Sequence, residues 1–389
     1  MKSKTTGDLA MIKMMNTAIV LESIIEYAPL SRARISEHTG LNKATVSSLV
    51  QDLIDRHLVV ENGPGQSSGG RKPVMLLFNS SAGYAIGVDL GVNYIRGVLT
   101  DLEGKVLEEY EIPLANQLLQ DVLPELTACI NSLIAAMPDS PYGLVGIGIG
   151  VPGIVNDDQG EILFAPNLGW KRVPLQSMLE DTFGVPVTID NEANAGAQGE
   201  QKYGAGRPYN HQIYVSVGIG IGTGIILNRE LYKGAAGFSG ELGHLSIDYN
   251  GKPCRCGNQG CWELYASENA LLEQAAAIGY SNLEYLLAGA AEGEEKALAL
   301  FRQIGASLGV GIANIVNVFN PEIVIIGNRM SRAAAWISEA IQETVARRTL
   351  SQHFNGMQIL FAALSDQSAV RGAAYYAINR FLGKMKNGE

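Results

Sequence analysis

The segment between Glu241 and Glu263 constrains this chain more than any other, because it brings four potential metal ligands close together. It reads Glu241-Leu-Gly-His244, then nine residues, then Cys254-Arg-Cys256-Gly-Asn-Gln-Gly-Cys261-Trp-Glu263. One imidazole and three thiolates are the ligands of a closed tetrahedral zinc site, and they leave no position open for a reactive water. The segment therefore predicts a structural zinc ion. Its ligands would be His244, Cys254, Cys256 and Cys261.

A disulfide or a set of free buried thiols is the alternative interpretation of these cysteines. Three of the four cysteines of the chain lie in this segment, and an odd cluster fits a disulfide poorly. The chain begins Met-Lys-Ser-Lys-Thr-Thr-Gly-Asp, without the apolar stretch of a secretory signal, and no apolar run of about 18 residues follows. We therefore expect a cytoplasmic protein with reduced cysteines and no membrane segment.

Charge is distributed unevenly along the 389 residues. The net charge is −10, but residues 1–72 carry nine Lys and Arg against seven Asp and Glu, and the remainder carries 20 against 32. Only the N-terminal part is therefore a plausible DNA contact. A hydrophobic content of 47% and a charged content of 17% are typical of globular proteins, and the length allows two or three domains.

The chain opens with two predicted helices. Apolar residues recur at helical spacing over about residues 8–26, and the run ends before Pro29. Ser31 is the expected N-cap of a second helix over residues 32–39, and Gly40 supplies the left-handed residue that ends it. These two helices and the turn at Gly40 are the first half of a helix-turn-helix pattern.

Asn42 is the expected N-cap of a third helix, whose exposed N-terminal end would enter the major groove. Strand-like runs at 58–61 and 74–78 follow, and the loop between them predicts a β-wing. The expected DNA contacts are Asn42, Lys43, Thr45, Ser47, Ser48 and Gln51 on the helix, with Arg71 and Lys72 on the wing. A helical protein-interaction domain is the alternative, but the outward face lacks the aromatic and Met residues that protein interfaces favour.

The remaining residues predict a duplicated α/β fold with a cleft between its halves. Strands at 83–91, 93–101 and 105–113 precede a helix and a further strand, and a similar series begins near His211. In this second series, strands at 211–217 and 224–227 flank a glycine-rich turn.

Five ordered motifs resemble those of the repressor, open reading frame, kinase (ROK) family, over roughly residues 10–380. They are Asp89-Leu-Gly, Gly150-Val-Pro-Gly153, Asp190-Asn191-Glu192-Ala-Asn194, Gly218-Ile-Gly-Ile-Gly222 and the Glu241–Glu263 segment. The resemblance implies an α/β protein with an N-terminal winged helix-turn-helix and a duplicated actin-like, hexokinase-like (ribonuclease H-like) fold. Its expected units are residues 1–80, residues 81–190 completed by the C-terminal helix 367–389, and residues 191–366 with the zinc loop.

The same resemblance implies a monosaccharide in the cleft. Carboxylates and carboxamides match the donors and acceptors of a polyol. His244 would place one ring nitrogen on zinc and offer the other to the sugar. The expected sugar-binding residues are Asn167, Asn191, Glu192, Glu241, His244 and Glu263.

Several positions depart from the pattern of the family's kinases. Val92 and Ile219 replace a small residue and a hydroxyl in the phosphate-binding turns, and Gly327-Asn328 replaces a glycine pair near the adenine site. Glu192 replaces the aspartate that acts as general base, which displaces the carboxylate by roughly 1 Å. We therefore predict no catalytic residues and no enzymatic activity.

The motifs favour a sugar-responsive transcriptional repressor that binds operator DNA as a homodimer. The N-terminal run at 8–16 and the sequence at 191–197 most resemble the xylose repressors of Gram-positive bacteria, which implies D-xylose as the effector. The alternatives are an active ATP-dependent sugar kinase with an attached DNA-binding domain, and a repressor that responds to glucose or N-acetylglucosamine.

Overall fold

The computed structural model of the chain describes residues 9–64, 72–157 and 159–387. The helices of this part are α1 (Leu9–Tyr27), α2 (Arg32–Thr39), α3 (Lys43–Asp55), α4 (Leu119–Ala135), α5 (Leu175–Phe183), α6 (Glu192–Tyr203), α7 (Glu263–Ala266), α8 (Glu268–Ala276), α9 (Leu283–Ala291), α10 (Glu295–Phe319), α11 (Ala334–Arg348), α12 (Ser351–Phe354) and α13 (Ser368–Asn387). The strands are β1 (Leu30–Ser31), β2 (Val59–Pro64), β3 (Val74–Phe78), β4 (Tyr84–Leu90), β5 (Tyr94–Asp101), β6 (Val106–Pro113), β7 (Leu144–Val151), β8 (Ile154–Asn156), β9 (Glu161–Ala165), β10 (Trp170–Val173), β11 (Val187–Asn191), β12 (Gln212–Val217), β13 (Ile221–Leu227), β14 (Glu230–Leu231), β15 (Ile323–Gly327) and β16 (Gln358–Phe361).

The N-terminal region is a winged helix-turn-helix, as predicted. The Ser31 hydroxyl accepts a hydrogen bond from the Arg34 amide at the start of α2, and Gly40 ends the helix at a φ of 71°. The Asn42 side chain caps α3 in the same way, through the Thr45 amide. Strands β1, β3 and β2 then form a small antiparallel sheet beside the helices. Local capping chemistry is sufficient to fix this turn.

The core of the winged region continues into the C-terminal helix. The buried face of α3 contributes Val46, Leu49, Val50 and Leu53, and these residues belong to one apolar cluster with Ile378 and Phe381 of α13. Polar contacts reinforce the join, because Lys386 Nζ donates to Glu22 Oε1 of α1 at 2.7 Å. The winged region is therefore packed against α13 rather than tethered by a flexible linker.

The large region contains two five-stranded sheets with the same topology. The first has the order β6-β5-β4-β7-β11, and the second has the order β14-β13-β12-β15-β16. In each sheet three antiparallel strands are followed by two parallel ones. This repeat is the duplicated α/β fold that the sequence predicted. The second series differs in one detail, because β13 begins at Ile221, inside the expected glycine-rich turn.

Helices α6 and α13 lie between the two sheets and pack closely against each other. A Cβ atom at Gly372 would lie 1.7 Å from the Ala195 carbonyl oxygen, and one at Gly199 would lie 2.1 Å from the Ser368 carbonyl oxygen. On its other side α13 packs against the first sheet, where a Cβ atom at Gly148 would lie 1.8 Å from the Ala373 carbonyl oxygen. Only glycine allows backbones to approach this closely.

The outer faces of both sheets are covered by further helices. Helix α10 is long and apolar enough to cross a membrane, but 61% of its most apolar 18-residue window is buried in the structure. Its Leu308 and Ile312 pack with Ile337 and Ile341 of α11 in the core of the second sheet. The helix therefore occupies the position of a core helix.

Candidate functional site

A cleft of about 920 Å³ lies between the two sheets. Residues from both halves line it, including Asn167 on the β9–β10 turn, the start of α6, and the segment from Gly237 to His244. Strands β8 to β10 form a separate three-stranded sheet at this edge, which sequence patterns did not reveal. The opening between two duplicated α/β units is a common position for a ligand site.

The four predicted metal ligands meet at one side of the cleft. Their ligand atoms all lie within 4.8 Å of one another. The Sγ atoms of Cys256 and Cys261 are 3.7 Å apart, and Cys254 Sγ is 3.7 Å from His244 Nδ1. Neighbouring ligand atoms in a tetrahedral zinc site are separated by roughly 3.5–3.8 Å, so the cluster fits this ion. It could hold a metal.

The loop that carries the predicted metal ligands is anchored to the second sheet. Trp262, next to the last cysteine, is fully buried, and its Nε1 donates to the Ser307 carbonyl oxygen of α10 at 3.0 Å. Asn258 donates from Nδ2 to the His244 carbonyl oxygen at 3.1 Å, which closes the loop on itself. The loop geometry therefore determines where Glu241, His244 and Glu263 enter the cleft.

Glu241, His244 and Glu263 form the polar wall on this side. The His244 ring lies between the two carboxylates, with Nε2 3.8 Å from Glu241 Oε2 and Nδ1 3.3 Å from Glu263 Oε1. Their side chains are 33%, 46% and 22% exposed for His244, Glu241 and Glu263, respectively. These carboxylates can accept hydrogen bonds from the hydroxyl groups of a polyol.

The remaining predicted sugar-binding residues differ in their availability. Asn167 is exposed at the cleft. Asn191 caps α6, because its Oδ1 accepts from the amides of Ala193 and Asn194 and its Nδ2 donates to the Gly153 carbonyl oxygen. Only one hydrogen of the Asn191 amide group therefore remains for a ligand.

Glu192 is held by side chains of the second sheet. The Ser216 hydroxyl donates to its carboxylate at 2.9 Å, and Asn328 Nδ2 lies 3.4 Å from Glu192 Oε1 and 3.0 Å from Ser216 Oγ. Burial, aided by the nearby Asp89 carboxylate, raises the pKa of Glu192 to about 8. The group is therefore largely protonated at neutral pH, and a protonated carboxyl is a poor general base.

Asp89 and Tyr94 face Glu192 from the first sheet. The Tyr94 hydroxyl donates to Asp89 Oδ2 at 2.7 Å, and burial raises the pKa of Asp89 to about 6. The Tyr94 ring covers the turn at Gly91, where a Cβ atom would lie 2.4 Å from the ring. A tyrosine therefore occupies the space beside the motif that corresponds to a phosphate-binding turn.

Most of the predicted DNA-binding residues are exposed on the winged region. Lys43, Ser47, Ser48, Gln51 and Lys72 are exposed, and so is the cap residue Asn42. Thr45 is half-buried, and Arg71 lies outside the described residues. Ser47 donates to the Lys43 carbonyl oxygen at 2.8 Å, and Gln51 Nε2 donates to Asp55 at 2.9 Å.

Comparison with known proteins identifies the family. The sequence profile of the ROK family matches residues 85–380. The chain belongs to the ROK family. It is 44% identical to the xylose repressor of Bacillus subtilis strain 168 over 383 residues, which cover 97% of this chain and 98% of that protein. The resemblance inferred from the ordered motifs is confirmed.

Two solved structures show both branches of the family. A ROK family transcriptional regulator, a homolog of the E. coli MLC protein, superimposes with a TM-score of 0.82 at 30% identity, covering 97% of this chain and 99% of that one. A ROK family glucokinase from Streptomyces griseus in complex with glucose and AMPPNP has a TM-score of 0.70 at 29% identity. The kinase match covers 76% of this chain and 99% of the kinase. The fold is therefore shared by ROK regulators and ROK kinases.

Sequence analysis missed three side chains that contact residues of the cleft. Tyr94, Ser216 and Lys233 belong to none of the motifs. Tyr94 contacts Asp89, five residues away, whereas Ser216 and Lys233 contact residues that are distant in sequence. The sequence identified Asn328 only as a departure from a glycine pair, and the structure shows that it adopts a φ of 64°, which is uncommon outside glycine. Its contact with Glu192, 136 residues away, could not be predicted from the local sequence.

Proposed function

We propose that this protein is a sugar-responsive transcriptional repressor whose effector is D-xylose, and that it does not phosphorylate sugars. The contrast within the cleft carries the proposal: the Glu241 carboxylate is available to a ligand, whereas Asp89 and Glu192 accept hydrogen bonds from Tyr94 and Ser216. The 44% identity to a xylose repressor over nearly the full length of both chains supports the choice of effector.

Four residues argue against kinase activity. Val92 and Ile219 line the cleft where the kinase motifs have a small residue and a hydroxyl. Tyr94 covers Gly91 and engages Asp89, and Glu192 is protonated at neutral pH. Phosphoryl transfer depends on backbone amides that cradle the phosphates and on a base within reach of the sugar hydroxyl. Val92, Ile219 and Tyr94 weaken the first requirement, and Glu192 weakens the second.

Zinc in this proposal is structural. The four ligands would close the coordination sphere, so the ion would fix the loop that carries Glu241 and Glu263 and would supply no reactive water. The ion would also set the orientation of the His244 ring, whose second nitrogen could then face a sugar hydroxyl. We expect about one zinc per chain.

The proposed division of labour assigns DNA binding to residues 1–80 and sugar binding to the two large units, 81–190 with 367–389 and 191–366. Helix α13 packs against the first sheet, against α6 and against the winged region. Because α6 begins at Asn191 and Glu192 in the cleft, a change in the angle between the halves would be passed through α6 and α13 to the winged region. In a homodimer this change would alter the spacing of the two recognition helices.

A sugar that contacts both halves stabilises the closed cleft more than the open one, so sugar binding shifts the cleft toward the closed form. If sugar lowers operator affinity, operator lowers sugar affinity by the same factor, typically about 5- to 150-fold in such couplings. Operator binding measured with and without D-xylose, and D-xylose binding measured with and without operator, should therefore give equal factors.

Titration with a panel of sugars tests the effector directly. Calorimetry with D-xylose, glucose, N-acetylglucosamine and their phosphorylated forms should show the tightest binding for D-xylose, with about one site per chain. Release of operator DNA should follow the same order. Binding of another sugar and not of D-xylose would retain the mechanism and reject the ligand.

The DNA contacts are tested by paired substitutions in the winged region. Lys72→Ala on the wing should weaken binding to all DNA sequences about equally and reduce its salt dependence. Ser48→Ala on α3 should relax specificity at one base pair and leave the salt dependence unchanged. Lys171→Ala, at an exposed position of β10 in the large region, is the matched control and should change neither. If both winged-region variants behave like this control, the assignment of α3 and the wing is wrong.

A further inference from the structure

Lys233 makes a three-way ionic contact across the cleft. Its Nζ lies 2.8 Å from Asp190 Oδ2 and 2.5 Å from Asp157 Oδ2. Lys233 follows β14 of the second sheet, whereas Asp190 lies near the end of β11 in the first sheet and Asp157 follows β8 at the cleft edge. A single cation from one half is therefore shared by two carboxylates of the other half.

The burial of Asp190 makes this contact structurally important. Its side chain is 6% exposed, and Lys233 is 29% exposed. A buried carboxylate requires a nearby positive charge or hydrogen-bond donors, because it has lost its hydration. The approach of Lys233 to Asp190 satisfies the distance of an ion pair but not the angles of a hydrogen bond, so its attraction is mainly Coulombic.

Each end of the contact leads to residues that line the cleft. On the first half, Asp190 Oδ1 accepts hydrogen bonds from the Asn191 amide at 2.7 Å and from Asn194 Nδ2 at 3.0 Å. These bonds fix the start of α6, where Glu192 enters the cleft. The Lys233 contact therefore reaches the sugar-facing end of α6 through a single aspartate.

On the second half, Lys233 begins the segment that ends at Glu241. Its carbonyl oxygen accepts from the Ser239 amide at 3.1 Å, and the Gly240 carbonyl oxygen accepts from the Thr223 hydroxyl on β13. These bonds fold the segment onto the second sheet just before Glu241. The position of Lys233 is thereby coupled to the metal side of the cleft.

We propose that Lys233 is a cross-cleft latch, a positioning residue that holds the two halves in the arrangement that binds the effector. The inference rests on the proposed sugar response and names the part of the molecule that regulates it. Removal of the latch shifts the equilibrium between closed and open clefts toward the open form. The apparent affinity for the effector falls by the factor by which the closed population falls.

The test compares Lys233→Met with Lys252→Met in the full-length protein. Lys252 forms an ion pair with Glu273 at 3.2 Å, also at the cleft, but both partners are in the second half and more than half exposed. Lys233→Met should bind D-xylose about 10-fold more weakly and release operator only at correspondingly higher sugar concentrations. Lys252→Met should stay within about twofold of the natural protein, and Lys233→Arg should recover most of the affinity.

Two further measurements separate a latch from a general loss of structure. Asp157→Asn removes the more exposed of the two carboxylates and should weaken sugar binding about threefold. Its zinc content and thermal transition should stay close to those of the natural protein. Adding this change to Lys233→Met should have little further effect, because the interaction is already absent. Additive losses would overturn the latch.

Solution scattering distinguishes failure of the latch from failure of the proposed function. Without sugar, Lys233→Met should have a larger radius of gyration than Lys252→Met and the natural protein. If this increase occurs and the natural protein binds none of the sugars in the panel, the latch stands and the effector class is wrong. If Lys233→Met matches the natural protein in scattering, the latch is wrong whatever the sugar response.

Discussion

The two ends of the cleft differ in how their polar side chains are used. At the metal end, Glu241 accepts no hydrogen bond from the described residues, and the His244 ring lies 3.8 Å from its carboxylate. At the opposite end, Asp89 is bonded to Tyr94, and Glu192 is bonded to Ser216 and close to Asn328. The first end is available to a ligand, and the second has been closed by internal contacts.

Under the proposed function, this difference separates sugar recognition from catalysis within one fold. A polar group that already has a partner gains little from a ligand, because the ligand must replace the existing hydrogen bond. A group without a partner gains the whole interaction. The two ends can therefore evolve separately, although they lie in one cavity and on one fold.

The largest expected effect comes from removing a metal ligand. Cys256→Ser should lose the metal and bind D-xylose at least about 100-fold more weakly, because the loop that positions Glu241 and Glu263 depends on the ion. Metal analysis and calorimetry on the same sample measure both losses. Cys129→Ala, which removes the buried cysteine outside the cluster, is the control and should keep the metal. A metal-free protein with a normal sugar response would show that the metal end of the cleft does not depend on the ion.

The next effect concerns the carboxylate without a partner. Glu241→Gln should weaken D-xylose binding by about 10- to 100-fold, since a hydrogen bond to a charged group contributes about 1.5–3 kcal/mol. Operator affinity without sugar should stay within about twofold, which gives a repressor that remains on DNA at ordinary sugar concentrations. Glu273→Gln, at the exposed rim of the cleft, is the matched control. Normal release of DNA by Glu241→Gln would place the effector site elsewhere.

A smaller, pH-dependent effect tests the closed end. The pKa of Glu192 is about 8 in the folded protein and 4.5 as the ordinary value, so the unfolded chain loses this proton first as pH rises. Between these values the folded state binds more protons, and its stability decreases with pH by at most about 1.4 kcal/mol per unit. Glu192→Gln has no carboxyl group at this position, so its free energy of unfolding lacks this dependence on pH.

Thermal transitions of the natural protein and of Glu192→Gln at about pH 5, 6.5 and 8 measure that difference. The variant should gain on the natural protein as pH rises, and the same comparison with Glu273→Gln should show no trend. A constant difference between the natural protein and Glu192→Gln would mean that the Glu192 carboxyl is ionised throughout.

The smallest expected effect is a null result in catalysis. A coupled assay of ADP release with glucose, mannose and xylose should give background rates for the natural protein. Tyr94→Phe, which frees Asp89 from its hydrogen bond but keeps the ring over Gly91, should give the same background. Robust ATP-dependent turnover in either protein would show that the closed end is still a phosphoryl-transfer site.

Local signals in the sequence predicted the winged region and the metal cluster well. Ser31, Gly40 and Asn42 act within three or four residues of their own positions, so their effect can be read directly from the chain. The metal ligands likewise fall within 18 consecutive residues. The shared topology of the two sheets also followed from the repeated strand pattern.

The contacts that close one end of the cleft could not be predicted in this way. Asn328 meets Glu192 across 136 residues, and Ser216 meets Glu192 across 24. Such pairs depend on how the sheets are placed relative to each other, which periodicity and capping do not specify. The same limit applies to Asn191: its role in sugar binding stays a prediction, and its use as the cap of α6 could not be weighed against that role from the sequence.

The packing of α13 into the winged region also has a consequence for synthesis on the ribosome. Ile378 and Phe381 complete the apolar core around Val46 and Leu76, yet they are translated after nearly all of the chain. At about 5–20 residues per second, the winged region waits on the order of tens of seconds for these residues. During that interval its core is open on one side, so a nascent chain cannot yet form the finished winged region. Only a completed molecule has a closed core in its winged region.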